Sequence, residues 1–114
     1  MNSSSDINKV IEDTAKKLNI AYVKGNTLCT DCFDYYVKDV NSLIARFPKD
    51  LNIIGAEMEA FALFYNAKLL GKKASCLLSV VDSHYKHQEI SAEERQTSLN
   101  SMIKLALELS LIHI

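Results

Sequence analysis

Two carboxylates flanking a methionine, in the segment Gly55–Ala60, are the residues whose types and spacing best suit a functional site. They follow a short apolar run, Leu51–Ile54, and precede a helical pattern, so Glu57 and Glu59 lie at the carboxyl end of a predicted strand. In open α/β sheets, ligands bind at that end of the strands. Alternatively, both carboxylates only stabilise the positive N-terminus of the following helix. Taken alone, this stretch favours the second interpretation.

Another acidic residue, Asp82, follows the apolar run Ala74–Val81, and Arg95 lies in the first turn of the last predicted helix. A charge at the tip of a buried strand requires either a function or an opposite charge nearby. Arg95 is the candidate partner. The pair is either an ion pair that only anchors a loop or part of a site that transfers a proton, and spacing alone leaves both interpretations open.

The remaining candidate ligands form weaker patterns. Cys29 and Cys32 make a C-x-x-C pair, but no second pair completes a zinc site, and a total of three cysteines argues against a disulfide framework. His84, His87 and Glu89 fall in a predicted loop without the helical spacing of zinc proteases. The sequence therefore disfavours both a metal site and a redox function.

The composition fits an ordinary globular domain. The chain has 114 residues, is 48% hydrophobic and 24% charged, and carries a net charge of −1. Basic residues do not outnumber acidic ones, which argues against a nucleic-acid-binding protein. No apolar run approaches the length of a membrane span, and Met1–Ser5 lacks a signal-peptide pattern. We therefore predict a cytoplasmic protein that binds neither nucleic acid nor membrane.

Helical and strand-like patterns alternate along the chain, which predicts an α/β architecture. The predicted helices cover residues 7–18, 36–47, 59–70 and 91–106, and the strand-like pieces cover 20–23, 27–30, 51–56 and 74–81. Asn19, Pro48 and Gly71 end the first three helices, and a capping box at Ser91–Glu94 begins the last. The chain starts with a helix and has only about four strands to be covered by four helices, so at least one face of the sheet would lack cover. We therefore interpret the chain as part of a larger fold.

Three segments together resemble the purine nucleoside phosphorylases of the hexameric bacterial type. They are G-A-E-M-E-A at Gly55–Ala60, V-D-S-H at Val81–His84 and A-E-E-R-Q-T at Ala92–Thr97. The resemblance extends over residues 6–109. It implies a three-layer nucleoside phosphorylase-like α/β fold, in which residues 1–114 form an incomplete, C-terminal half of a single domain with a mixed or parallel sheet flanked by helices.

The resemblance implies a reaction as well as a fold. The reaction is the reversible phosphorolysis of purine ribo- and deoxyribonucleosides to the free base and (deoxy)ribose 1-phosphate. Phosphate is then a co-substrate, and neither a cofactor nor a metal is implied. The family forms hexamers, so a homo-oligomer is implied too.

The resemblance also assigns roles to residues on the substrate. Glu59 is implied to accept hydrogen bonds from the ribose hydroxyls, Met58 to lie under the sugar, and Phe33 to pack against the purine. Ala56 and Glu57 are implied to form the wall of the site on the base and sugar sides. These five positions form the predicted substrate-binding set.

The catalytic roles fall to Asp82 and Arg95. Asp82 is implied to act as the general acid that protonates the purine ring nitrogen while the glycosidic bond breaks, and Arg95 to assist that transfer. Proton delivery neutralises the departing base, and a carboxylic acid delivers it when its pKa is raised by burial. Carboxylates near the ribose favour the positive charge that develops on the sugar.

The chain departs from the family pattern in two respects. Val81 stands where the family usually has serine, which removes a hydroxyl next to Asp82. The family binds phosphate through a glycine-rich loop and several arginines, whereas this chain has only Arg46 and Arg95. We therefore expect the chain to carry the base and ribose side of the site. Two alternatives stay open: a nucleosidase of the same superfamily, and a catalytically incomplete fragment that only binds nucleoside or self-associates.

Overall fold

The computed structural model describes residues 1–33, 36–83, 88–97 and 99–112. Helices and strands alternate along the first part of the chain, as the α/β prediction requires. Their bounds are α1 Ser5–Lys17, β1 Asn26–Cys29, α2 Val40–Ile44, β2 Ile53–Glu57, α3 Ala60–Leu69, β3 Asp82–Ser83, β4 Gln88–Glu89, α4 Ala92–Thr97 and α5 Asn100–Ile112. A short 3₁₀ turn, Lys49–Leu51, precedes β2.

The chain divides into two compact units. The first contains Val23–Lys72 together with Met1, and the second contains Asn2–Tyr22 and Lys73–Ile114. In the part of the chain that the structure describes, no helix has the combination of length and apolar character that a membrane crossing requires.

A parallel pair of strands forms the centre of the first unit. β1 and β2 pair with Thr27 opposite Gly55, Leu28 opposite Ala56 and Cys29 opposite Glu57. The pair is tightly packed where β1 begins, because a Cβ atom on Gly25 would lie 2.7 Å from side-chain atoms of Ile54. The small parallel sheet flanked by helices agrees with the predicted fold class.

Left-handed residues end α1 and α3, as the sequence predicts. Gly71 has φ +62°, its N–H donates to the Lys68 carbonyl at 3.2 Å, and the Lys72 N–H donates to the Ala67 carbonyl at 2.8 Å. Asn19, with φ 53°, closes α1 through the same pair of hydrogen bonds. These bonds satisfy carbonyls that a helix end otherwise leaves without donors.

Helices α1 and α5 pack together in the second unit. Ala15 of α1 and Leu105 of α5 are buried, and Lys17 forms an ion pair with Glu108 at 2.9 Å. The serines at 3–5 are residue types that favour helix N-caps, and Ser4 holds the N-cap position of α1. Its hydroxyl makes no cap bond, however, and instead accepts a hydrogen bond from the Ala74 N–H at 3.0 Å. The residue that precedes α1 is therefore hydrogen-bonded to Ala74, which begins the segment that leads to β3.

The apolar run Ala74–Val81 differs from its prediction. It was expected to be a strand buried on both faces, but it pairs with no strand among the described residues, and Leu78 and Val80 are 54% and 79% exposed. The predicted strand at 20–23 is also absent. A parallel strand needs hydrogen-bonded neighbours and cover on both faces. Within the described chain, the only strand pairs are β1–β2 and β3–β4, so these two segments have no strand to pair with.

Helix α2 is shorter than its apolar stripe. The prediction started it near Tyr36, whereas the structure starts it after Asp39, whose carboxylate accepts hydrogen bonds from the Ser42 N–H at 3.0 Å and the Ser42 hydroxyl at 2.5 Å. An aspartate that satisfies a first-turn donor defines the start of a helix, and here it overrides the hydrophobic periodicity.

The last predicted helix is two helices, α4 and α5. The capping box at its start is confirmed, because the Ser91 hydroxyl accepts from the Glu94 N–H at 3.1 Å while the Glu94 carboxylate accepts from the Ser91 N–H at 2.8 Å. Helical spacing predicts that the buried face of this segment consists of Leu99, Met102, Ile103 and Ala106, and that prediction is wrong in part. Ile103 and Ala106 are exposed, and Leu105 is buried between the half-buried Met102 and Leu109.

Candidate functional site

The carboxyl ends of β1 and β2 lie side by side, because the two strands are parallel. The Thr30 N–H extends the pairing by donating to the Glu57 carbonyl at 3.1 Å. Beyond β1 the chain bends towards Phe33, and beyond β2 it continues through Met58 to Glu59 and α3. The predicted substrate-binding residues of the first unit therefore come from neighbouring strand ends at one edge.

Several of these side chains are accessible to a ligand. Phe33 is 49% exposed and Met58 is 43% exposed, and Ala56 and Glu59 are exposed as well. The Phe33 ring meets Tyr36 edge to face, with ring centroids 6.4 Å apart. An aromatic face and a thioether at the same strand edge suit the stacking of a planar base and an apolar sugar face.

The carboxylate of Glu57 is already occupied by hydrogen bonds. Its Oε1 accepts from the Thr27 hydroxyl at 3.0 Å, and its Oε2 accepts from the N–H groups of Glu59 at 2.8 Å and Ala60 at 2.6 Å. Burial acts to raise the pKa of Glu57, but these donors, together with the Cys29 thiol, outweigh it and hold that pKa below its usual value of 4.5. Glu57 therefore caps the N-terminus of α3 as an ionised carboxylate.

Glu59 behaves differently from Glu57, although the sequence presents them as a pair. It occupies the N-cap position of α3 without a side-chain cap, and its exposed carboxylate accepts from the Met58 N–H at 3.2 Å. The structure thus separates the two interpretations of the sequence. The capping interpretation applies to Glu57, and the carboxylate that remains exposed to solvent is that of Glu59.

Asp82 and Arg95 are both connected to the β3–β4 hairpin of the second unit. Asp82 is half-buried in β3, where it pairs with Glu89, and the Ile90 N–H donates to the Val81 carbonyl at 3.1 Å. The exposed Arg95 donates from Nε to the Ile90 carbonyl at 3.3 Å. In the described part of the chain, the side chains of Asp82 and Arg95 do not form the ion pair that the sequence suggested.

The weaker ligand patterns gain no support. His84 and His87 lie outside the described residues, and within the described ones no three His, Cys, Asp or Glu side chains are grouped to hold a metal ion. Cys29 and Cys32 are free thiols, the first half-buried and the second exposed.

Sequence analysis missed Thr27, whose hydroxyl contacts Glu57. The signal lies in the alternation of strand side chains. Thr27 and Cys29 are two residues apart on β1 and share a face; the Thr27 hydroxyl donates to the carboxylate of Glu57 at the end of the adjacent strand, and the Cys29 thiol helps to lower the pKa of that carboxylate. Recognising this contact from sequence requires knowing that β1 and β2 are parallel neighbours.

These features define an α/β protein whose candidate substrate-binding residues line the carboxyl edge of a parallel strand pair. The family model of the phosphorylase superfamily matches residues 1–112, and the chain belongs to that superfamily. Its fold class is accordingly that of the nucleoside phosphorylases, as predicted.

Within this superfamily, the chain is similar to purine nucleoside phosphorylases of DeoD type. The chain is 41% identical over 108 residues to a purine nucleoside phosphorylase of DeoD type from Mycoplasma genitalium and 35% identical over the same length to that from Mycoplasma pneumoniae; each match covers 95% of this chain. A third DeoD-type enzyme, from Bacillus velezensis, is 38% identical over 101 residues, or 89% of the chain. The chain spans 44%, 44% and 41% of the lengths of these three relatives.

Proposed function

We propose that the protein acts in the phosphorolysis of purine nucleosides and that this chain carries the base and ribose side of the site. The reaction converts a purine ribo- or deoxyribonucleoside and phosphate into the free base and (deoxy)ribose 1-phosphate, reversibly. The observation that carries the proposal is the 35–41% identity to DeoD-type purine nucleoside phosphorylases along 95% of the chain. Phosphate is the co-substrate, and the proposal requires no cofactor and no metal.

The first unit supplies the proposed contacts to base and sugar. The exposed carboxylate of Glu59 accepts hydrogen bonds from the ribose hydroxyls, Met58 lies under the sugar, and Phe33 stacks on the purine. Ala56 and the backbone at Glu57 form the wall of the site on the base and sugar sides, while the Glu57 carboxylate holds α3. The support from structure is that Ala56 and Glu57 end β2, Met58 and Glu59 follow directly, and Phe33 follows the end of the parallel neighbour β1 by four residues.

Asp82 and Arg95 are the residues proposed to carry out the proton transfer. When the glycosidic bond breaks, the base departs as an anion and the sugar gains positive charge. Asp82 neutralises the base by protonating its ring nitrogen, and Arg95 assists the transfer. The half-buried position of Asp82 in β3 and the attachment of Arg95 to the Ile90 carbonyl support this assignment, since both residues are tied to the same hairpin.

Nucleoside binding without turnover is the second candidate function. It is favoured by the arginine content, because Arg46 and Arg95 are the only arginines in the sequence and phosphate sites commonly rely on this residue. Arg46 is an exposed residue just after α2, and Arg95 bonds to a backbone carbonyl. A nucleosidase, in which water replaces phosphate, is the corresponding enzyme alternative.

The family resemblance also leads us to propose a homo-oligomer, a hexamer in the complete enzyme, that acts in purine salvage in the cytoplasm. Exposed apolar side chains in both units support self-association, among them Leu69 and Leu70 in the first and Leu78 and Val80 in the second.

One experiment tests these proposals together. The 114-residue chain is titrated with adenosine by calorimetry and then incubated with inosine or adenosine, with and without phosphate, while purine release is followed. We expect saturable adenosine binding that Phe33→Ala and Glu59→Gln weaken, and no release by this chain alone. Release only with phosphate would place the complete phosphorolytic site in this chain, and release without phosphate would indicate a nucleosidase. Absence of nucleoside binding would overturn the proposed base and ribose site.

A further inference from the structure

The N-terminus of α3 is held in place by a side chain from the adjacent strand. Thr27 of β1 donates its hydroxyl proton to Oε1 of Glu57 at 3.0 Å, and Oε2 of the same carboxylate receives the N–H groups of Glu59 and Ala60. One carboxylate thus connects β1, the end of β2 and the first turn of α3.

The carboxylate of Glu57 has little capacity left for other partners. An ionised carboxylate offers about four acceptor positions, and here two backbone N–H groups and one hydroxyl occupy three of them. Hydrogen bonds to an ionised acceptor are short and strong, as the distances of 2.6 Å and 2.8 Å show. The orientation of the carboxylate is therefore fixed from both sides.

The backbone of Glu59 is fixed by the same contact, because its own N–H is one of the two donors. The Glu59 side chain is exposed and leaves the backbone at φ −121° and ψ −27°, without a cap bond to α3. In the described part of the chain, its carboxylate accepts only the Met58 N–H, at 3.2 Å. Both ends of this local bond lie on the Met58–Glu59 backbone, which Glu57 holds through the Glu59 N–H and which Thr27 holds through Glu57.

We propose that Thr27 and Glu57 are positioning residues for Glu59, and that the contact between the Thr27 hydroxyl and Glu57 sets how well the protein distinguishes a ribonucleoside from a 2′-deoxyribonucleoside. The proposal rests on the proposed function, in which Glu59 receives the ribose hydroxyls. Loosening the backbone at Glu59 weakens the bond to the 2′-hydroxyl, which the deoxy substrate does not make. Binding of the deoxynucleoside changes less.

The test compares Thr27→Val, which keeps the shape and removes the hydroxyl, with Thr27→Ser, which keeps the hydroxyl. Ser42→Ala is the matched control, because Ser42 also donates a hydroxyl to a capping carboxylate, that of Asp39 at α2 in the same unit. Each variant of the 114-residue chain is titrated with adenosine and 2′-deoxyadenosine, and the exchange rates of the Glu59 and Ala60 amide protons are measured by NMR.

We expect Thr27→Val to speed amide exchange at Glu59 and Ala60 about tenfold and to reduce the preference for adenosine by a similar factor, as removal of one bond to a charged group allows. Thr27→Ser should restore both quantities, and Ser42→Ala should change neither. Unchanged exchange in Thr27→Val would overturn the proposal whether or not nucleoside binds. Faster exchange with an unchanged preference would overturn it while leaving the proposed function intact. A wild-type chain without any preference would instead overturn the ribose role of Glu59.

Discussion

The carboxylate of Glu57 accepts a hydrogen bond from the Ala60 backbone N–H at 2.6 Å, and this contact marks the point where β2 ends and α3 begins. Replacing Glu57 with glutamine keeps the size of the side chain but removes its charge. One carboxylate oxygen also becomes an amide NH₂ group, which cannot accept hydrogen bonds from the Thr27 hydroxyl or from the N–H groups of Glu59 and Ala60. We expect the free energy of unfolding to fall by about 1–2 kcal/mol in urea titrations. Glu59→Gln is the matched control, and its exposed side chain should alter stability by no more than about 0.5 kcal/mol.

The effect of Glu57→Gln should depend on pH. The folded-state pKa of Glu57 lies below 4.5, so its contribution to stability is present above that pH and is lost as the pH falls through the folded-state pKa. The difference in unfolding free energy between wild type and Glu57→Gln should therefore be full at neutral pH and should shrink at about pH 3. An equal difference at both pH values would show that the ionised carboxylate is not the stabilising group.

Features that depend on a few adjacent residues are those that the sequence predicts well. Gly71 ends α3 because a helix end needs a left-handed residue, and Ser91 and Glu94 begin α4 through two reciprocal bonds three residues apart. All the partners of such a motif lie within one turn of the chain, so the residue types alone specify the geometry.

Features that depend on distant partners are predicted less well. The apolar run Ala74–Val81 has the composition of a buried strand, but membership of a sheet depends on neighbouring strands rather than on the run itself. The inward face of α5 likewise follows from its packing against α1, which buries Leu105 rather than Ile103.

The candidate site also combines a local feature that the sequence predicts with a distant contact that it does not. Sequence analysis places Glu57 and Glu59 together at a strand end, and the structure agrees. Only one of the two carboxylates, that of Glu57, caps α3, and it is held there by Thr27, which lies thirty residues earlier in the chain. The local pattern is equally compatible with either carboxylate as the cap, so the separation of their roles required the register of β1 against β2.

Gly71→Ala should destabilise the chain. Its φ of +62° forces any Cβ-bearing residue into the left-handed region, which raises the free energy of the folded state by about 1 kcal/mol. Gly55→Ala is the control, because neither a positive φ nor an atom within 4 Å opposes a Cβ there. It should be neutral or slightly stabilising in the same urea titration. Equal losses in both variants would mean that the φ at Gly71 does not limit stability.

The exposed apolar side chains should cause self-association at micromolar concentrations. Leu78 and Val80 lie on a segment without sheet neighbours in the described chain, and exposed apolar surface of this kind favours contact between molecules. Sedimentation velocity should show species larger than 12.8 kDa, and Val80→Lys should shift the distribution towards the monomer. A wild-type chain that sediments as a single monomer would contradict this prediction.

Glu59→Gln should affect ribose recognition more than the chemical step. Its effect is best measured in a chimera in which the 108 residues of this chain that match the Mycoplasma genitalium relative replace the corresponding segment of that enzyme, so that phosphorolysis can be followed. Because Glu59 is proposed to hold the sugar in both the ground and transition states, KM for adenosine should rise with a smaller change in kcat. The effect should be weaker for 2′-deoxyadenosine. A loss confined to kcat would indicate a role in the chemical step.

Asp82→Asn, in the same chimera, tests the proposed general acid. Asparagine keeps the size of the side chain and one donor group, but it cannot release a proton to the departing base. Removal of a general acid should reduce the rate by roughly 10²–10⁴. The loss should appear in kcat and kcat/KM together, since proton transfer matters mainly in the transition state.

The decisive comparison for Asp82 is between substrates. A 7-methylated purine nucleoside already carries a positive charge on its base, so its leaving group departs neutral without being protonated. Asp82→Asn should therefore slow adenosine strongly and the 7-methylated substrate hardly at all. If both substrates slow to the same extent, the half-buried Asp82 serves to hold the β3–β4 hairpin rather than to donate a proton. The general-acid role would then pass to another group.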